Sequence, residues 1–151
     1  MQVIRGFAAL VAVAVAAGCA TGSAATEADE ARALAEPVAQ AASAVGTAQL
    51  SVQLLGDDRT SAPVTDTALV ESIHVLADAA DAVTTFIPSD ATGSGWQTDS
   101  LDAVQSAQTA VARARAWANG TGTRADATTS LEDSADRLDE IAATLETAGG
   151  S

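Results

Sequence analysis

Residues 34–55, LAEPVAQAASAVGTAQLSVQLL, decide the fold of this chain. Their apolar residues recur in alternating steps of four and three, a spacing that keeps one face of an α-helix apolar. A helix with such a face has to bury it against other helices. The positions of this seam are Leu34, Val38, Ala41, Val45, Ala48, Val52 and Leu55.

Pro37 lies within the seam and removes one backbone donor from it. Because Leu34 and Val38 remain in phase across the proline, the pattern favours one kinked helix over 27–55. A packed helix that begins at Pro37 is the alternative, since proline is tolerated as a first helical residue.

Three further stretches show the same spacing and predict helices over 65–87, 98–119 and 129–148. Pro88 is expected to end the second helix. Thr98 or Ser100 would cap the third, and Thr129 would open a capping box with Glu132 in the fourth. The expected inner positions are Leu69, Ile73, Leu76, Ala80, Val83 and Ile87, then Leu101, Val104, Ala107, Val111, Ala114 and Ala118, and finally Leu131, Leu138, Ile141 and Leu145.

The fold class follows from these segments and from the composition. The chain has two Trp, two Phe and no Tyr, a poor repertoire for strands and a natural one for Ala- and Leu-rich helices. Four amphipathic segments joined by polar connectors predict an all-α fold, an antiparallel up-and-down four-helix bundle. The connectors are expected over 56–64, 89–97 and 120–128, with Trp96 in a Gly-rich loop. No cofactor is expected, because the Ala-rich seams leave little space between the helices.

The amino-terminal residues have the pattern of a signal for export. Arg5 precedes an apolar run from Gly6 to Ala17 that is too short to span a bilayer and ends on small residues, as in a secretory signal. The sequence Ala16-Ala17-Gly18-Cys19 resembles the lipobox of bacterial lipoproteins. That resemblance implies a diacylglycerol on the Cys19 thiol and cleavage before it. Alternatively, Ala14-Val15-Ala16 serves an ordinary signal peptidase and leaves Cys19 a free thiol.

The lipobox reading divides the chain into a signal peptide over 1–18, a lipidated tether over 19–25 and one helical domain over 26–151. Cys19 is the only cysteine, so no intramolecular disulfide can form. Acyl chains on Cys19 would hold the protein at the extracytoplasmic face of the cell membrane. The lysine-free remainder, rich in Ala, Val, Asp and Thr, resembles uncharacterised helical lipoproteins of actinobacteria, a likeness that implies no active site.

The charge balance excludes one class of partner. Seven basic residues, all Arg, face 20 acidic ones, for a formal net charge of -13. Nucleic acid is therefore not an expected partner, because the chain has no basic patch with which to displace counterions. An anionic membrane surface would repel the domain as well, so attachment has to come from the lipid.

A cation site is the most specific chemistry that the sequence offers. Glu71, His74, Asp78 and Asp81 follow one another in steps of three and four, which places them on one helix face. One histidine and three carboxylates suit Zn²⁺ or Ca²⁺. The alternative is a solvated acidic face on which His74 pairs with Asp78.

Arg137 is spaced to pair with Asp133 four residues earlier. Trp117 is one turn from Arg113 and could stack on it, but Trp96 and Trp117 are expected mainly to cap a small core. Catalysis here would require the single histidine to serve every base role on an exposed helix face, so the chain is not expected to be an enzyme. The sequence thus predicts a non-enzymatic, membrane-anchored lipoprotein whose acidic bundle contacts other envelope components, with cation binding around His74 as the alternative. In an up-and-down bundle anchored at Cys19, Trp96 is expected on the membrane side.

Overall fold

The computed structural model describes residues 26–150. Within that range the chain forms four α-helices: α1 (Glu27–Gly56), α2 (Ala62–Thr85), α3 (Ala91–Ala118) and α4 (Arg124–Gly149). Each helix packs against the next, and α4 returns to pack against α1. The predicted all-α four-helix bundle is confirmed.

One diagonal of the bundle is shorter than the other. Helix α1 packs against α3 across the centre, whereas α2 and α4 make no such contact within residues 26–150. Both helices of the close diagonal bury several alanines, whose short side chains let two helix backbones approach. These alanines are Ala31, Ala41, Ala44 and Ala48 in α1, and Ala103, Ala107, Ala110 and Ala114 in α3.

The seam predicted for α1 forms the centre of the hydrophobic core. Its positions from Leu34 to Val52 are buried, and Leu55 is half-buried. The helix continues through Pro37, which is itself buried, so the alternative start at Pro37 is wrong. Thr26 caps α1 instead, in a capping box where its hydroxyl accepts from the N–H of Asp29 and the Asp29 carboxylate accepts from the N–H of Thr26.

Helix α3 begins earlier than the predicted residue 98. Asp90 is its N-cap, and the Asp90 carboxylate accepts from the backbone N–H of Gly93 at 2.9 Å. Gly93 and Trp96 therefore lie in the helix, and the prediction of a loop over 89–97 is wrong beyond Asp90. The acidic cap two residues after Pro88 is the sequence signal that outweighs the low helix propensity of the glycines.

Helix α4 also begins earlier than predicted. Thr123 is the N-cap, and its hydroxyl accepts from the N–H of Asp126 at 3.1 Å. Thr123 and Asp126 match the same capping pattern as Thr129 and Glu132, which lie inside the helix. Helix α2 likewise begins at Ala62, with Pro63 in its first turn.

The buried faces of α2, α3 and α4 are broader than the predicted seams. In α2, the core also takes Thr65, Ser72 and Ala79, while Ile73 and Ala80 are only half-buried. Each helix of a bundle contacts two or more neighbours and buries a stripe wider than a two-stranded seam. Among the predicted inner positions of α3 and α4, three are half-buried: Leu101, Ala118 and Ile141.

Candidate functional site

The lipobox, Cys19 and the tether lie outside the described residues. Two hydrogen bonds define the end of the bundle at which the described residues begin. Glu30 of α1 accepts from the backbone N–H of Ser89, and Arg32 donates to the carbonyl of Gly149 at 2.7 Å. The start of α1, the α2–α3 connector and the end of α4 therefore lie together. We call this the proximal end, defined by Thr26, residues 86–90 and residues 149–150.

Glu30 holds the proximal end together from within. Its side chain is 2% exposed, although glutamate is rarely buried. Its Oε1 accepts from the Ser89 N–H at 2.7 Å, just before the N-terminus of α3, where a negative charge is favourable. A Cβ on Gly93 would collide with Oε2 of the same carboxylate. Glycine at position 93 thus leaves room for the Glu30 carboxylate beside the start of α3.

The connector at this end turns one apolar side chain inward and one outward. Phe86 is half-buried and packs on the core, whereas Ile87 is 87% exposed. The prediction that Ile87 lies on the inner face of α2 is therefore wrong. Helix α2 ends at Thr85, because Pro88 disfavours helical geometry in the residue before it.

Trp96 lies at the same end, in the second turn of α3. Its side chain is half-buried and packs against the core. The next residue, Gln97, donates from its side-chain amide to the carbonyls of Val83 and Phe86, each at 2.8 Å. Gln97 thereby supplies a donor to the Phe86 carbonyl and a second donor to the Val83 carbonyl, which also accepts from the N–H of Phe86. Trp96 is a packing residue of this junction rather than part of a loop.

The opposite end of the bundle is tied by charged side chains. Arg124 donates to the carboxylate of Asp57 at 3.0 Å, which joins the end of α1 to the start of α4. Arg115 and Asn119 both donate to Oδ1 of Asp66 at 2.8 Å, which joins α3 to α2. We call this the distal end, defined by residues 57–61 and 119–123. Its two connectors are adjacent, as the predicted up-and-down topology requires.

The environment of Asp66 favours its ionised form. The hydrogen bond from Arg115, followed by the one from Asn119, lowers the pKa of the Asp66 carboxyl below its ordinary value. The same contact raises the pKa of Arg115.

At the proximal end, the hydroxyl and backbone of Thr26 lower the pKa of the Asp29 carboxyl, with a smaller contribution from Arg32.

A cleft of about 610 Å³ lies beside the distal end, between α3 and α4. Its walls include Arg113, Asp126 and Asp133, together with residues 121–123 of the connector. Arg113 donates to the hydroxyl of Ser130 at 2.9 Å, which ties the two helices across the cleft. The cleft thus carries charges of both signs. Trp117, which lies one turn from Arg113, is half-buried and packs against the core.

The four residues of the predicted cation site are all exposed on α2: Glu71, His74, Asp78 and Asp81. Nδ1 of His74 lies 3.9 Å from a carboxylate oxygen of Glu71, and these two side chains are 68% and 76% exposed. His74 is therefore beside Glu71 rather than Asp78. Among residues 26–150, no three His, Cys, Asp or Glu side chains are grouped so that they could hold a metal ion. The residues of the cation hypothesis therefore do not form a preformed binding site among the described residues.

Arg137 pairs across helices rather than along α4. Its guanidinium lies 3.9 Å from the carboxylate of Asp102 in α3, so the predicted pairing with Asp133 is wrong. The interhelical partner could not be read from spacing along one helix. Both side chains are at least half exposed, and such a pair adds little to stability.

Comparisons with protein families, with curated proteins and with solved structures gave no match to this chain. None of the helices between residues 26 and 150 combines the length and apolar character needed to cross a bilayer.

Proposed function

We propose that this chain is a non-enzymatic lipoprotein, anchored by acyl groups on Cys19 at the extracytoplasmic face of the membrane, which presents its distal end to another envelope component. The observation that carries the proposal is the separation of the two ends. The segment bearing Cys19 precedes Thr26 at the proximal end, while Asp57 and Arg124 pair at the distal end.

The distal end has properties of a contact surface. Its connectors are held by the Asp57–Arg124 and Asp66–Arg115 ion pairs, so a partner would meet an ordered surface and lose little conformational entropy on binding. The neighbouring cleft offers both Arg113 and carboxylates as hydrogen-bonding groups. An anchored bundle also directs this end away from the bilayer.

The anchor is tested with the full chain and a Cys19→Ala variant expressed in a bacterium that processes lipoproteins. We expect mass spectrometry to find acyl groups on Cys19 and the parent to fractionate with membranes, whereas the variant is released. Complete membrane association of Cys19→Ala would contradict the lipid anchor.

The contact is tested by placing a photo-crosslinking amino acid at Thr121 in the distal connector. The matched control carries the same group at Gln105, an exposed position along α3. We expect crosslinked products in intact cells from position 121 that are missing from position 105. Identical products from the two positions would contradict a specific distal contact.

A further inference from the structure

We propose that Ile87 inserts into the headgroup region of an uncharged or zwitterionic lipid surface and forms a second, non-covalent membrane contact that orients the bundle. The inference rests on the proposed lipid anchor at Cys19. It identifies the proximal end as a lipid-facing surface, distinct from the distal end proposed to meet a partner.

Ile87 is the most exposed large apolar side chain of residues 26–150, at 87%, against 61% for Val64 and 55% for Leu50. Val64 lies in the first turn of α2, near the distal end, and Leu50 lies on the side of α1. Ile87 alone is therefore placed where the anchored segment joins the bundle.

The outward position of Ile87 is held by its neighbours on both sides. Before it, Phe86 packs on the core, and the carbonyl of Phe86 accepts from Gln97 at 2.8 Å. After it, the backbone of Ser89 is held by the buried carboxylate of Glu30. The connector thus presents Ile87 on an ordered turn, which lowers the entropy cost of inserting it.

The chain before α1 brings this turn within reach of the membrane. Seven residue steps separate Cys19 from Thr26, and a fully extended chain spans at most about 25 Å over that length. Burying one isoleucine is too weak to hold a protein on a bilayer by itself. With the protein already anchored, the contact is intramolecular and benefits from a high effective concentration.

The charges around Ile87 select the kind of surface. Glu27, Asp29 and Asp90 are exposed at the proximal end, and among the described residues only Arg32, which pairs with Asp29, offsets them there. An anionic bilayer would repel this end. A zwitterionic surface accepts the apolar side chain without that repulsion, so we expect contact to weaken as the anionic lipid content rises.

The test labels a single cysteine with an environment-sensitive nitrobenzoxadiazole dye. Acylation occupies Cys19 in the lipidated protein, so Ile87→Cys supplies the free thiol, and Val64→Cys is the matched control at the other end. Each lipidated protein is bound to phosphatidylcholine vesicles. The unanchored reference carries Cys19→Ala with the same label.

On vesicles, we expect the dye at position 87 to shift its emission to shorter wavelength and to become less accessible to iodide. The dye at position 64 should have the same emission and iodide accessibility as in its unanchored reference. Phosphatidylglycerol in the vesicles should reduce the emission shift of the dye at position 87. A second outcome is that the protein floats with the vesicles while the dye at position 87 has the same emission and iodide accessibility as in the unanchored reference. That result would overturn the lipid contact of Ile87 but not the anchor at Cys19. A shift seen only with native envelopes would overturn it in favour of a protein contact. Failure to float would overturn the anchor, and this inference with it.

Discussion

The carboxylate of Glu30 and the backbone N–H of Ser89 form a 2.7 Å hydrogen bond between residues 59 positions apart in the sequence. Glu30 is buried, and its bond fixes the α2–α3 connector against the first turn of α1. The Glu30 carboxylate also places negative charge near the start of α3, in addition to the cap from Asp90.

Substitution of Glu30 by alanine should destabilise the bundle by roughly 1–3 kcal/mol, because the Ser89 N–H loses its acceptor in a partly buried site. Glu30→Gln keeps an acceptor oxygen and should lose less. Chemical denaturation followed by circular dichroism measures both, with the exposed Glu36→Ala as the control. Equal stability of Glu30→Ala and Glu36→Ala would show that the bond is not needed.

Gly93→Ala should destabilise the protein although alanine is the better helix former. Its Cβ would collide with the Glu30 carboxylate and displace it from the Ser89 N–H. Gly95→Ala is the matched control two residues further along α3, where a Cβ meets nothing within 4 Å. It should stabilise the helix by about 0.5–1 kcal/mol. Melting temperatures that move in the same direction for both variants would contradict this account.

The Asp66–Arg115 contact should make stability depend on pH in the acid range. The pKa of Asp66 is lower in the folded than in the unfolded protein, where it is about 3.9. The contribution of the contact is therefore complete above the unfolded pKa and is lost as pH falls through the folded pKa. Asp66→Asn should lower the melting temperature at pH 7, with a difference from the parent that shrinks below about pH 4. A difference independent of pH would contradict the electrostatic explanation.

Ser100 is a site where a substitution should stabilise the core. Its side chain is fully buried, and among the described residues its hydroxyl has no hydrogen-bond partner. Ser100→Ala removes this unsatisfied group and should raise the free energy of unfolding by about 1 kcal/mol. Ser134 is equally buried but donates to the carbonyl of Leu131, so Ser134→Ala should give no such gain. Denaturant midpoints of the two variants check the contrast.

The cation hypothesis can be tested directly at His74. Because Glu71, His74, Asp78 and Asp81 are exposed and not grouped around one point, we expect calorimetric titration with Zn²⁺ or Ca²⁺ to give the same weak heats for the parent and for His74→Ala. Saturable binding that His74→Ala weakens would instead support a site on this face.

The local pattern was sufficient for the helices but not for their ends. The spacing correctly predicts the burial of the α1 seam positions from Leu34 to Val52 and of Leu69, Leu76 and Leu138, because periodicity expresses which face of a helix is apolar. The starts of α3 and α4 were missed because several residues could serve as caps. Asp90 and Thr123 take that role, while Ser100 is buried and Thr129 lies within α4. Which residue becomes the N-cap depends on where the chain must turn to return to the core.

From the sequence alone, the apolar periodicity and the Ala-rich composition determined an all-α bundle of four helices, since both act within single segments. Tertiary structure decided the burial of Glu30, the close approach at Gly93 and the pairing of Arg137 with Asp102. It also decided that Ile87 faces outward. Each of these features depends on groups from different helices, or on the position of a connector relative to the core, and no spacing along one segment contains that information.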